Sequence, residues 1–322
     1  MSMAAPTPFP PPPRGLITEL VTPLKEDGRL DGQGLSRLVA RVVGPADGIL
    51  AGSPGAGEGL ELPGELRREL FAAVLQAVAG RVPLFLGITG NSQAETRELA
   101  VAAQELCRSL NYAAPVFLVD LPLWYHSNRG LPQACQALLA GLSLPLICLN
   151  LPDLMARRAP VFKWRNLRTQ VLKKLLALPA LVGLIYQGEM RRFLNYHHAA
   201  AGRSGFAFYA ADELSFLTRP GAWGVVSPGA QLLPASWQRV TRSCLSLEEA
   251  GPDQGQRFEL WELSRRLMEL ARIYAHHPAA LLKTALAARE VIASTRTAPA
   301  TPAAAATLKE AMLAAGAGAS EP

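Results

Sequence analysis

Polar side chains gather where the short apolar runs of this 322-residue chain break off. Ser53 follows one such run in Gly52-Ser53-Pro54-Gly55, and Tyr125 closes Leu123-Trp124-Tyr125. Asn150 precedes Leu151-Pro152, Tyr186 ends LVGLIY, Asp212-Glu213 follow GFAFYA, and Ser227 ends AWGVVS. Hydroxyl, amide and backbone donors of these kinds, if brought together, hold a carboxylate, and phenols or acids beside them move protons. Each residue also has a purely structural use. Tyr186 can cap a packed layer, Asn150 can hold a loop backbone, and Asp212 can cap the helix it precedes.

Metal chemistry is not indicated. His197-His198 and His276-His277 are adjacent pairs, which point in different directions on a helix, and no spaced carboxylate motif accompanies them. The four cysteines, Cys107, Cys135, Cys148 and Cys244, are far apart and form no CxxC pair, so neither a zinc site nor a disulfide framework is expected. No cofactor is implied. Glu58 and Glu61, just after the glycine-rich loop, read as ordinary acidic loop residues.

The elements that would position these side chains are legible in the apolar runs. GLITELVT (15–22), DGILAG (47–52), VPLFLG (82–87), PVFLVD (115–120), LPLICLN (144–150), LVGLIY (181–186), GFAFYA (205–210) and AWGVVS (222–227) make eight strand candidates. The first six are nearly continuous, as in parallel strands covered on both faces. Segments between them, such as ELRRELFAAVLQAVAG and QAETRELAVAAQELCRSL, carry helical periodicity, and Ser92 with Glu95 forms a plausible capping box. Eight β-α alternations predict an α/β fold, a (β/α)8 TIM barrel, with function at the C-terminal ends of the strands. A doubly wound open sheet is the runner-up, but GLITELVTPLKEDG lacks the Gly-rich phosphate loop expected after its first strand. The expected organisation is a Pro-rich flexible arm (1–14), the barrel (15–234), a C-terminal helical extension (235–295) and an Ala/Pro-rich tail (296–322) whose TPAAAATLKEAMLAAG suits one last amphipathic helix.

No apolar stretch reaches the roughly 18 to 20 residues of a transmembrane helix, and the N-terminus is a poor signal peptide, so a reducing cytoplasm is the simplest setting. Net charge is +6. One basic cluster, Arg157, Arg158, Lys163, Arg165, Arg168, Lys173 and Lys174 with Phe162 and Trp164 among them, suits a phosphate or nucleic-acid surface. A solvated outer helix face explains it more simply, and nucleic acid is not the expected partner.

In order and spacing, "LVTPLKEDGRLD", "DGILAGSPGAGEGLEL", "GRVPLFLGITGNSQAET", "LPLICLNLP", "GAWGVVSPGAQLLP" and "HHPAALLKTALAA" resemble the dihydrodipicolinate synthase / N-acetylneuraminate lyase family of class I aldolase-type barrels, from about Gly15 to Ile292. The resemblance implies a dimer or tetramer of barrels acting on pyruvate or another 2-oxo acid or sugar acid. It also implies a Schiff-base lysine on strand six, a proton-relay tyrosine on strand five and a hydroxyl-bearing carboxylate loop after strand two.

Carried over residue by residue, the pattern breaks at its chemical centre. Ile185 stands at the lysine position, and Leu149 stands at the tyrosine position. Leu154 falls where the synthases place a substrate-binding arginine, with Arg157 and Arg158 close behind. In the carboxylate loop Ser53 keeps one hydroxyl, while Pro54 removes a hydroxyl and a backbone N–H. Tyr125 matches the family's tyrosine after strand four with a one-residue shift. Imine chemistry is therefore not expected, and the catalytic residues are unknown. Two functions remain open. One is a silent family member that binds a small acid or joins an active paralogue in a mixed oligomer. The other is a lyase, aldolase or dehydratase working by a non-imine route, for which Ser53, Asn150, Tyr186, Asp212 and Glu213 are the groups that could converge.

Overall fold

The computed structural model describes residues 9–158, 165–218, 222–245 and 254–298. All eight apolar runs become parallel strands: β1 Gly15–Glu19, β2 Gly48–Ala51, β3 Leu84–Gly87, β4 Val116–Asp120, β5 Leu146–Asn150, β6 Leu181–Tyr186, β7 Ala207–Ala210 and β8 Gly224–Ser227. They pair in sequence order, and β1 also pairs with β8, from Gly15↔Gly224 to Thr18↔Ser227, which closes the barrel. The open sheet is excluded. Nearly every strand residue is buried because helices cover the outside while side chains fill the inside.

Helices α1 Gly32–Val42, α2 Gly64–Val78, α3 Gln93–Ser109, α4 Leu131–Leu139, α5 Pro152–Arg158, α6 Thr169–Leu175, α7 Met190–Ala200, α8 Glu213–Thr218 and α9 Pro234–Cys244 follow the strands. Local signals set their ends. Asp31 caps α1 through the Gly34 N–H, and Ser92 caps α3 through the Glu95 N–H, while the Glu95 carboxylate turns back to the Asn91 N–H. Proline opens α4, α9 and the later helix that begins at Pro278, where a missing N–H costs no intrahelical bond. In α9, Trp237 and Val240 share an apolar cluster with Leu16 and Val225 on the outer wall. Then α10 Gln254–Tyr274 and α11 Pro278–Ala288 continue the helical C-terminal part. The expected last helix, TPAAAATLKEAMLAAG (301–316), lies outside the described residues.

Two features of the sheet matter for the site. Phe85 on β3 and Tyr209 on β7 meet edge to face with centroids 6.0 Å apart, and Phe85 stacks on Phe117 at 5.0 Å, so aromatic rings plug the interior across the barrel. Gly48 makes room for this layer, since a Cβ there would lie 2.8 Å from the Phe85 ring. From β5 to β6 the register shifts by one residue between Leu146↔Leu181 and Ile147↔Gly183, and the shift sets Leu149 beside Ile185 and Asn150 beside Tyr186.

The end of the N-terminal arm is held in place. The Tyr209 hydroxyl donates to the Pro13 carbonyl, the Trp223 indole donates to Pro12 at 3.1 Å, and Arg14 donates to the Leu245 carbonyl at 2.7 Å.

Candidate functional site

At the C-terminal ends of the strands a cavity of about 180 Å³ opens between the barrel and the C-terminal helices. Leu50, Leu149, Ile185 and Val226 form its apolar floor, one residue each from β2, β5, β6 and β8. Ala271, Tyr274 and Pro278 roof it from α10 and α11. Strand alternation explains the floor: residues facing the interior repeat every second position, so Ile185 faces in and Tyr186 faces out.

Ile185 and Leu149, neighbours across the β5–β6 ladder, are 0% and 4% exposed. Among the described residues, no lysine lines this cavity. Lys173 and Lys174 are exposed on α6, and Lys283 is fully buried in an ion pair with Glu58.

The polar wall is built around two buried carboxylates. Glu19, the last residue of β1, accepts from the Ser53 hydroxyl and from the Ala56 N–H at 3.0 Å. Ser53 itself accepts from the Gly57 N–H at 3.0 Å, which leaves its proton for Glu19. Gly55 has no Cβ because one would sit 2.8 Å from the Glu19 carboxylate. Burial pushes the Glu19 pKa up, against the lowering effect of the Ser53 and Ala56 bonds.

Glu213, opening α8, accepts from the Ser227 hydroxyl at 2.5 Å and the Gly229 N–H at 2.9 Å on one oxygen. Its other oxygen accepts from the Tyr274 hydroxyl at 2.6 Å. Burial pushes its pKa up to about 7, and the nearby charge of Glu19 adds to the rise. A carboxyl poised there can give or take a proton near neutrality.

The other sequence candidates are spread around the rim. Asn150 is fully buried and holds the chain that follows α5, accepting from the Leu167 N–H at 2.7 Å and donating to Asn166 at 2.9 Å. Tyr186 donates to the Glu189 carbonyl at 3.0 Å, packs edge to face on Tyr196, and lines a separate small cleft with Phe193 and Phe216. Tyr125 donates at 2.6 Å to Asp120, whose pKa burial raises to about 6. Asp212 lines the cavity but accepts from the Leu214 and Ser215 N–H groups, as a helix cap does. Ser53, Gly55, Asp212 and Glu213 reach the cavity lining, Ser227 contributes through Glu213, and Gly52 supplies the left-handed turn (φ 66°) before Ser53. Leu154 and Arg157 line the cavity mouth, and Arg157 donates to the His276 carbonyl at 3.3 Å. Of the basic cluster, residues 159–164 lie outside the described residues, as does the Arg158 side chain.

His197 is wedged between Phe193 and Phe208, with centroids 4.3 and 4.0 Å away. No group of three or more possible metal-ligating side chains occurs among the described residues. No helix among them is long and apolar enough to cross a membrane.

Glu19 and Tyr274 were absent from the residues that the sequence singled out. Glu19 did leave a signal, an acid inside an otherwise apolar parallel strand, where burial on both faces disfavours charge. Tyr274 left none, since it arrives from a helix about 60 residues away from Glu213.

A closed eight-stranded barrel with a cavity at the C-terminal ends of its strands defines a (β/α)8 fold. Residues 12–316 match the dihydrodipicolinate synthetase family, and the chain belongs to that family. Among curated relatives, the 4-hydroxy-tetrahydrodipicolinate synthase of Aromatoleum aromaticum is 27% identical over 265 residues, covering 80% of this chain and 82% of its own. That of Thermus thermophilus is 30% identical over 249 residues, covering 76% and 77%. The solved 4-hydroxy-tetrahydrodipicolinate synthase of Methylacidiphilum fumariolicum superposes with a TM-score of 0.77 at 25% identity, covering 94% of both chains.

Proposed function

We propose that this chain is a family member that does not form a Schiff base and that uses its barrel mouth to bind a small molecule. The supporting observation is Ile185, wholly buried in the cavity floor at the end of β6, with no lysine among the described residues that line the cavity. Imine formation needs an uncharged amine within reach of the carbonyl carbon, and an isoleucine offers only a hydrocarbon surface. Leu149 beside it brings no phenol for proton relay. Similarity to synthases nominates a small 2-oxo acid or sugar acid as occupant and a homo-oligomer, or a mixed oligomer with an active paralogue, as the assembly.

A second reading has one observation in its favour. Glu213, raised to about 7 and hydrogen-bonded to Tyr274, is a candidate proton donor and acceptor for turnover by a non-imine route. The two readings separate in a panel of 2-oxo acids and sugar acids, scored for thermal shift and for consumption. Weak binding without consumption is expected. Consumption abolished by Glu213→Gln would establish the second reading instead.

A further inference from the structure

The cavity already contains a bound carboxylate, and the chain supplies it. Ser53 and Ala56 converge on one oxygen of Glu19 with a hydroxyl and a backbone N–H, the donor set that a ligand carboxylate would need. The hydroxyl is preset for this task by the Gly57 N–H behind it, and the missing Cβ of Gly55 leaves space for the acid. The same construction recurs beside it. Ser227 accepts from the Ala230 N–H at 3.0 Å and donates to Glu213, with the Gly229 N–H as second donor. Both hydroxyl-and-amide cradles in the cavity wall are therefore filled by side-chain carboxylates.

We infer that Glu19 is a built-in occupant of the carboxylate cradle after β2 and a specificity-determining residue that weakens the cavity's hold on small carboxylates relative to uncharged ligands. The inference rests on the reading of the barrel mouth as a binding pocket. A ligand carboxylate would have to displace Glu19 from its donors or settle, unpaired, next to two buried acids. Either course costs free energy, because a buried charge without partners is strongly disfavoured and like charges in one cavity repel. Burial raises the pKa of both acids, and the charge of Glu19 adds to the rise at Glu213. Of the bases, Arg157 lines the mouth and is exposed. An uncharged hydroxyl or amide compound meets no such penalty and can donate an O–H or N–H to the outer faces of the acids.

The test compares wild type, Glu19→Ala and Glu19→Gln by titration calorimetry with acetate, pyruvate and acetamide. Alanine empties the cradle, so the variant should bind acetate and pyruvate at least about tenfold more tightly than wild type, with acetamide changed less. Glutamine removes the charge but still fills the space, so a smaller gain for pyruvate is expected. If the alanine variant does not fold, wild type against Glu19→Gln decides, and equal pyruvate affinity overturns the inference. Wild type binding pyruvate as tightly as Glu19→Ala overturns it, and so does the absence of acetate and pyruvate binding in the folded alanine variant. A covalent pyruvate adduct on a lysine would instead overturn the proposed lack of imine chemistry, so the two failures are distinguishable.

Discussion

Glu213 shows how one buried carboxyl couples the site to pH. Its ordinary pKa of 4.5 rises to about 7 in the fold, so the folded protein holds a proton that the unfolded chain releases. Stability from this group is fully present below about pH 4.5 and is lost as pH climbs through 7, a change on the order of 3 kcal/mol. The groups facing it are Ser227, Gly229, Tyr274 and, through space, Glu19, whose own raised pKa acts in the same direction. Urea unfolding at pH 5 and pH 7.5 should therefore show a smaller loss of stability in Glu213→Gln than in wild type. Equal losses in the two proteins would contradict the assignment. At this scale the sequence was half legible. Ser53 and Glu213 were visible as polar residues after apolar runs, whereas the partners that orient them, Glu19 and Tyr274, depend on strand closure and on a helix distant in sequence.

The elements were more readable than the residues. Continuous apolar runs mark parallel strands because helices and barrel interior exclude water from both faces, and all eight runs contain strands. What patterning did not carry is the direction of each strand-end side chain. The β5–β6 register shift pairs Ile185 with Leu149, and alternation then sends Tyr186 outward to the α7 aromatics. Asn150 shows an element-level role in place of a chemical one, since its amide holds both Asn166 and Leu167. Asn150→Ala should leave the buried Leu167 N–H unsatisfied and lower stability by about 2 kcal/mol in denaturant titration. The cavity's affinity for an uncharged ligand should change less than its stability does. Unchanged stability would place the loop's anchorage elsewhere.

Across the whole molecule, the C-terminal helices complete the mouth and must be tied to the barrel. One tie is the buried ion pair between Lys283 on α11 and Glu58 in the loop after β2, where Lys283 also donates to the Arg296 carbonyl at 2.7 Å and Glu58 accepts from the Ala298 N–H at 2.7 Å. Breaking a buried pair from one side strands the other charge, at a cost of about 3 to 5 kcal/mol. Lys283→Met should be destabilised by that order in urea. The double variant Lys283→Met with Glu58→Gln should recover part of the loss, and no recovery would contradict the pairing. Glu58 looked like an ordinary loop acid because its partner lies more than 200 residues away.

The central claim is that the barrel keeps the architecture of its family without the imine. Intact-mass measurement after incubating the protein with pyruvate and sodium borohydride tests it most directly, because reduction traps any Schiff base as a stable adduct. The expected result is an unchanged mass. A mass gain of one reduced pyruvate, mapped to a lysine, would contradict the account.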